Sequence, residues 1–273
     1  MKPRITQILG WRRDSYLLLS GFLLLLFLLG YVWWPLAEEY LSFIDWRGAW
    51  WVQIDWLLLG IFAGMSLLIM ARAELSRDIK IVLVGFVGGF VIESWGTQTQ
   101  LWTYYTNERP PLWIIPAWPI ASLAIDRLAR VLKFPLSRMS QVGYRRVYIA
   151  LFAFFGYLMV IFVRHTFDKS MTWFAIFLCA WLILIPENYE KAVHNFIGGT
   201  ALGLFLEYWG TTRLCWSYYT LEQPPLFAVF AHGMAAVAFW RAGFLLESML
   251  VFLHQRSKLI FAKISERNQG IDS

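Results

Sequence analysis

The sequence has few charged residues, few cysteines and no long polar segment. Asp, Glu, Lys and Arg make up 15% of its 273 residues, whereas soluble domains contain about 25%. The two cysteines, Cys179 and Cys215, belong to no CxxC or other ligand-like spacing, which argues against a disulfide framework or a zinc site. No Gly/Ser-rich linker or low-complexity tract divides the chain, so we expect no separate soluble domain.

Motifs of the common cofactor and nucleotide sites are also missing. The four histidines show no HExxH or other metal-ligand spacing, and there is no nucleotide-binding loop or nucleophile elbow. The net charge of +6 is distributed between apolar segments and forms no basic face interleaved with aromatic residues. We therefore expect no metal, no cofactor and no nucleic-acid partner.

Hydrophobic residues, by contrast, are abundant and occur in long runs. They make up 59% of the chain, and aromatic residues make up 18%. A helix that crosses the hydrocarbon core needs about 17–25 residues. The sequence therefore predicts an all-α, multi-pass membrane protein with about eight transmembrane helices, at residues 16–36, 52–71, 79–96, 111–132, 147–163, 170–186, 191–210 and 225–252.

The positions of the basic residues predict the orientation of these helices. Most Lys and Arg residues lie at the two termini and in every second connection, and such connections remain in the cytoplasm. We expect a protein of the cell (inner or plasma) membrane with both termini cytoplasmic and membrane lipid as its partner. Arg127 and Arg241 lie deep in their runs and are expected to snorkel to the cytoplasmic headgroups, with contact to a lipid phosphate as the alternative.

One segment of the chain occurs twice without a gap. ESWGTQTQLWTYYTNERPPL, which starts at Glu93, matches EYWGTTRLCWSYYTLEQPPL, which starts at Glu207, at a constant offset of 114 residues. This duplication predicts two parallel four-helix repeats, at residues 1–136 and 137–254, followed by a cytoplasmic tail at 255–273. A pseudo-two-fold axis along the membrane normal would place both segments on the same side, facing each other. The orientation predicted from the basic residues makes this the non-cytoplasmic side.

Each of the two Glu residues follows two glycines at four-residue intervals. Residues at this spacing share one helix face, and glycines on that face allow another helix to approach closely. The pattern predicts helix packing at the glycines and a buried or cavity-lining carboxyl group, with a carboxyl that only reaches interfacial water as the alternative. The residues are Gly85, Gly89 and Glu93 in the first copy and Gly199, Gly203 and Glu207 in the second.

Glu93 and Glu207 are the candidate catalytic residues, as an acid/base pair, provided that they approach within several ångström. The aromatic stretch after each Glu is typical of an aromatic belt at the membrane interface, but the identical positions in both copies favour a folded turn over the Glu pair. We interpret the conserved pattern between the copies as a ligand-binding set that consists of Trp95, Thr97, Trp102, Tyr104 and Tyr105, with Trp209, Thr211, Trp216, Tyr218 and Tyr219.

The sequence resembles, at these two segments, carotenoid-biosynthesis membrane proteins of the bisanhydrobacterioruberin hydratase type. The resemblance lies in a span that ends in Glu-x-x-Gly-Thr and leads to a Tyr-rich turn, at residues 93–105 and 207–219. It implies hydration of an isoprenoid double bond, in which Glu93 or Glu207 would protonate carbon. That family places Gly and Phe in the turn where this chain has Gln-Leu-Trp and Leu-Cys-Trp.

The favoured function is an integral membrane protein that binds or modifies an apolar ligand, which the resemblance implies is an isoprenoid. The ligand would occupy a Glu/Trp/Tyr site at the interface of the two repeats, because aromatic walls with few polar groups suit such a molecule. Two alternatives stay open. One is a transporter of a lipid or small solute, and the other is a non-catalytic subunit of a membrane assembly.

Overall fold

The computed structural model describes residues 10–136 and 139–269, with side chains described at 10–130 and 139–258. The described residues form ten α-helices, one 3-10 turn (Arg164–Thr166) and two short strands. In chain order these are α1 (Arg13–Val32), α2 (Trp34–Ser42), α3 (Trp50–Gln53), α4 (Trp56–Met70), α5 (Leu75–Gln98), β1 (Trp102–Tyr104), α6 (Ala117–Leu136), α7 (Gln141–Val163), α8 (Ser170–Ile183), α9 (Tyr189–Thr212), β2 (Trp216–Tyr218) and α10 (Leu226–Gln269).

The prediction of an all-α chain is confirmed, whereas the prediction of eight membrane-spanning helices is not. Three helical segments are long and apolar enough to cross a membrane, at Arg13–Val32, Gln141–Thr166 and Leu226–Lys258. α4 and α8 are apolar but shorter, and α5 and α9 carry charged residues in their first turns. Part of each predicted cytoplasmic end lies outside the described residues, namely residues 1–9 and 270–273.

The second and third long helices of the two halves keep the offset of 114 residues. α4 and α8 begin at Trp56 and Ser170, α5 and α9 correspond at both ends, and so do β1 and β2. The first helices differ, because α7 is continuous whereas the chain before α4 is divided into α1, α2 and α3. α10 continues to Gln269, beyond the predicted end of the last run at residue 252. The division into repeats at 1–136 and 137–254 stays a prediction.

Helices of the two halves pack against one another as well as within each half. α5 contacts α6 of its own half and α10 of the other, and α9 contacts α10 of its own half and α6 of the other. β1 and β2 pair antiparallel across this interface, with Thr103 opposite Ser217. The two glutamate-bearing helices α5 and α9 therefore end beside one shared two-stranded ladder.

The four predicted packing glycines lie against the first turns of the next long helix. A Cβ on Gly85 would lie 2.8 Å from the Cα of Pro119, and one on Gly89 would lie 2.3 Å from the Cγ of Trp118. In the second half, Gly199 and Gly203 both face His232, with hypothetical Cβ distances of 2.7 Å to its carbonyl oxygen and 2.4 Å to its Cβ. Side chains at these positions would push α6 and α10 away from the glutamate-bearing helices.

Arg127 does not snorkel to the membrane surface, so that expectation is wrong for this residue. It is 3% exposed, and its Nη2 donates to Asp78 Oδ2 at 2.6 Å while its Nη1 donates to Asp126 Oδ2 at 2.7 Å. Asp78 lies in the first turn of α5 and is fully buried. These two carboxylates pair with the guanidinium charge inside the protein, as lipid headgroups would at the membrane surface. Arg241, at the corresponding position, pairs with Glu187 and is only partly buried.

We expect Arg127→Met to lower the free energy of unfolding by about 3–5 kcal/mol, because it leaves the buried Asp78 carboxylate without its cation. Adding Asp78→Asn should recover most of this loss. Arg241→Met is the matched control, with an expected loss below about 1 kcal/mol, since its partner Glu187 is partly solvent-exposed. Unfolding midpoints of the detergent-solubilised variants measure both effects, and equal losses for the two arginines would contradict the assignment.

Candidate functional site

Glu93 lies near the C-terminal end of α5, is 3% exposed and is surrounded by three hydrogen-bond donors. The Tyr104 hydroxyl and the Trp118 indole N–H each donate to Oε1 at 3.0 Å, and the Trp102 indole N–H donates to Oε2 at 3.0 Å. Because an indole N–H can only donate, both carboxyl oxygens act as acceptors. These four residues form what we name the first cage.

Glu207 occupies the corresponding position in α9 and is 4% exposed. The Trp216 indole N–H donates to Oε2 at 2.9 Å, and the Tyr218 hydroxyl donates to Oε1 at 2.9 Å. The third neighbour differs from that of the first cage, because His232 stands where Trp118 would be expected and places its Nε2 2.9 Å from Oε1. These four residues form the second cage.

Local backbone structure explains how each cage closes. After the Glu, Thr97 and Thr211 donate their hydroxyls to the carbonyl oxygen of the Glu one turn earlier, at 2.6 and 2.7 Å. Gln100 and Leu214 then adopt positive φ values of 63° and 56°. This left-handed conformation ends the helix and reverses the chain, so that the Trp and Tyr of β1 or β2 return to the Glu.

Gly96 and Gly210 provide the room for the returning indole rings. A Cβ on Gly96 would lie 1.9 Å from Cη2 of Trp102, and one on Gly210 would lie 2.0 Å from Cη2 of Trp216. No side chain larger than hydrogen fits at that separation. The Glu-x-x-Gly spacing is therefore required by the cage, because the glycine lets the ring lie flat beside the carboxyl group.

The two cages are in direct contact across the interface between the halves. Trp102 packs on Tyr218 with ring centroids 5.9 Å apart, and Tyr104 packs on Trp216 at 5.8 Å. The rings of Trp118 and His232 are stacked, 5.5 Å apart with 12° between their planes. The six aromatic side chains that contact the two Glu residues therefore form three cross-half pairs.

The other predicted ligand-binding residues have separate neighbours. The Trp95 indole lies 3.4 Å from the Thr172 hydroxyl, and Trp209 donates to Asp55 Oδ2 at 2.9 Å. Tyr219 donates to the Phe162 carbonyl at 2.7 Å. Seven of the ten predicted residues line the cavity described below, namely Trp95, Trp102, Tyr104, Tyr105, Trp209, Trp216 and Tyr218, whereas Thr97, Thr211 and Tyr219 are not part of its lining.

Charged residues that the sequence did not single out connect the halves around the cages. Asp55, which caps α4, pairs with Arg213 after α9 in addition to Trp209. Its counterpart Lys169 donates to the carbonyl of Thr99 after α5, at 3.0 Å. The offset of 114 relates both ends of these two contacts. The charges differ between the copies, which is why the repeat alone does not reveal the connection.

A cavity of about 990 Å³ lies against both cages. This volume is at the upper end of the range for ligand pockets, about 300–1,000 Å³. Aliphatic and aromatic side chains from the long helices of both halves form most of its wall, and Glu93, Glu207 and His232 are also part of the lining. Within the described residues, no group of three His, Cys, Asp or Glu side chains is placed to hold a metal ion.

Trp118 and His232 complete the cages. The sequence places His232 near the proposed site and aligns it with Trp118, but it predicts no role for either residue. Both lie 25 positions after their Glu, and the sequence signal that points to them is this shared spacing together with the glycines opposite them. No family model matches the chain, and no similar curated protein or solved structure was found. Function therefore has to be inferred from the site itself.

Proposed function

We propose that this protein is an integral membrane protein that binds an elongated apolar ligand of the isoprenoid type in the cavity between its two halves. The observation that carries the proposal is the cavity of about 990 Å³ with a mainly hydrocarbon and aromatic wall, which ends at two hydrogen-bonded carboxyl groups. Such a combination of apolar volume and few fixed polar groups is typical of ligand sites for apolar molecules.

The outer surface of the helices supports a position in the lipid bilayer. Large apolar side chains are exposed along several of them, for example Phe27 at 69%, Tyr157 at 63% and Phe177 at 67%. A water-soluble monomer rarely exposes so much contiguous apolar surface. We propose that α1 and the seven helices from α4 to α10 cross the membrane. Ion pairs and capping shield the charged first turns of α5 and α9.

The proposed orientation, with cytoplasmic termini and both cages toward the other side, is supported by where the charges lie along α5 and α6. The ion pairs of Asp78 and Arg127 lie near the start of α5, whereas Glu93 and its cage lie near its other end. One end of this helix pair is therefore ionic and the other aromatic. That arrangement fits a ligand that enters from the non-cytoplasmic leaflet.

The hydratase resemblance gives the proposal its most specific form, in which a Glu would protonate an isoprenoid double bond. The second cage is the better candidate for it, because only there does an imidazole contact the carboxyl group. A role limited to assembly competes with this view, since the cages also join the halves. Ligand analysis separates the two.

The test is identification of the lipids that co-purify with the protein in mild detergent, by absorbance and mass spectrometry after solvent extraction. We expect an isoprenoid or another long apolar molecule in addition to phospholipid. Ala235→Phe should reduce its amount severalfold, because Ala235 lines the cavity and a phenyl ring fills part of it. Ala153→Phe on the exposed face of α7 is the control. Recovery of bulk phospholipid alone from all three proteins would refute the proposal.

A further inference from the structure

The one difference between the two cages is a Trp in the first and a His in the second. Trp118 and His232 both contact the Oε1 atom of their Glu and stack on each other. An indole has one polar atom, and in Trp118 that atom is used. An imidazole has two ring nitrogens, and in His232 only Nε2 is used.

The partner of Nε2 determines the chemistry of the other nitrogen. Glu207 Oε1 accepts from Tyr218 and its second oxygen accepts from Trp216, so the carboxylate acts as an acceptor toward His232 as well. Nε2 then carries the hydrogen in the neutral ring, and Nδ1 is left with a lone pair that can accept a hydrogen bond.

Nδ1 has no hydrogen-bond partner within the described part of the chain, although the residue is only 18% exposed. The protein does not fully enclose the Nδ1 atom, which therefore keeps some accessible surface. His232 lines the cavity, and the ring cannot turn freely because it is stacked on Trp118 and faces Gly203 closely. A residue that lines the cavity therefore carries a fixed acceptor with accessible surface.

The remaining groups of the cages are hydrogen-bonded to one another. Both oxygens of each Glu, both tyrosine hydroxyls and all three indole N–H groups are occupied within the cages. We propose that His232 Nδ1 is the polar contact for the ligand, and that the ligand is a long isoprenoid chain that carries one hydroxyl group. The hydroxyl donates its hydrogen to Nδ1 while the chain occupies the apolar part of the cavity.

This inference rests on the proposed function, and it narrows the ligand class. A neutral imidazole that already donates through Nε2 offers only an acceptor at Nδ1, so it favours a hydroxyl over a carbonyl or an ether oxygen. A hydrocarbon of the same shape gains the apolar contacts but not this hydrogen bond. The site thus distinguishes molecules that differ in a single oxygen atom.

The test compares phytanol with phytane, which share one branched chain and differ only in the hydroxyl group, by titration of the intact detergent-solubilised protein and intrinsic fluorescence. The wild-type protein should bind phytanol about tenfold more tightly, the usual effect of one neutral hydrogen bond. His232→Trp keeps an N–H donor toward Glu207, as Trp118 does toward Glu93, and removes the acceptor, because an indole ring nitrogen can only donate. Its phytanol affinity should fall to that for phytane, while its phytane affinity changes less than about twofold.

A second variant tests the position of the acceptor. Trp118→His in the His232→Trp background exchanges the two rings, introduces an imidazole beside Glu93 and should restore the preference for phytanol. Equal binding of both molecules to the wild-type protein would overturn the hydroxyl contact and leave the proposed apolar cavity intact. Loss of both ligands in His232→Trp would mean that His232 shapes the cavity and does not recognise the hydroxyl. Absence of binding by either molecule to the wild-type protein would overturn the proposed function as well.

Discussion

Glu93→Gln is expected to lower the free energy of unfolding by about 1–3 kcal/mol more than Glu207→Gln, the cost of one buried unpaired N–H group. A carboxamide has one acceptor oxygen and one donor nitrogen, but Trp102 and Trp118 can only donate. With the amide oxygen toward Trp102, the amide nitrogen opposes the Trp118 N–H. With the amide reversed, it opposes the Trp102 N–H.

The second cage accommodates the same change. With the amide oxygen toward Trp216, the amide nitrogen faces the Tyr218 hydroxyl oxygen and His232 Nε2. Both of these atoms can become acceptors, because the hydroxyl rotates and the imidazole moves its hydrogen to Nδ1. The Trp216 N–H and both amide hydrogens then keep acceptors, so no indole N–H opposes a second donor. The loss comes from the weaker hydrogen bonds of a neutral acceptor and from the Tyr218 hydroxyl hydrogen, which no longer points at a carboxylate.

Unfolding midpoints of the two solubilised variants measure this difference. Trp118→His gives the sharpest control, because in the Glu93→Gln background it should recover most of the additional loss by supplying a nitrogen that accepts. In the wild-type background the same change brings no such gain. Equal destabilisation by Glu93→Gln and Glu207→Gln, or no recovery by Trp118→His, would contradict the donor assignment in the first cage.

Gly96→Ala and Gly210→Ala are each expected to destabilise the protein by about 3 kcal/mol or more. The new methyl group would lie within 2.0 Å of the Trp102 or Trp216 ring, so the ring must move. Overpacking of a core costs about 1–3 kcal/mol, and the displaced indole also loses its hydrogen bond to a carboxylate, which contributes about 1.5–3 kcal/mol.

The control for these variants is Gly156→Ala in α7, where nothing lies within 4 Å of the new Cβ. That change should stabilise the helix by about 0.5–1 kcal/mol, since glycine is the poorer helix former. Unfolding midpoints and the extracted ligand are measured for all three variants. If Gly96→Ala behaves like Gly156→Ala, the indole of Trp102 does not pack against Gly96.

The sequence predicted the helical elements that bear the cages well. The glycine spacing and the repeated segment place Glu93 and Glu207 on α5 and α9, since both signals are local along one helix. Strands of three residues have no usable period, so the β1–β2 ladder could not be predicted. It arises because two similar turns meet at the interface and pair their backbone groups.

Other parts of the site depend on residues far apart in the chain. Trp118 follows Glu93 by 25 positions and looks like an ordinary apolar residue in its helix. The burial of Arg127 depends on Asp78, which is 49 positions away. The depth of Arg127 within its apolar run predicted snorkelling, because the local sequence does not show that Asp78 lies beside it. The roles in ligand binding and catalysis stay predictions.

The antiparallel pairing of β1 and β2 also has a consequence for the symmetry of the site. Thr103 lies opposite Ser217 at the centre of the ladder, and an antiparallel pair of equal strands has two-fold symmetry. Two separate copies of one repeat would pair in this way as a symmetric homodimer, in which any mutation appears in both subunits. In a single polypeptide that constraint is absent, so corresponding positions of the two halves can carry different residues, as Trp118 and His232 do.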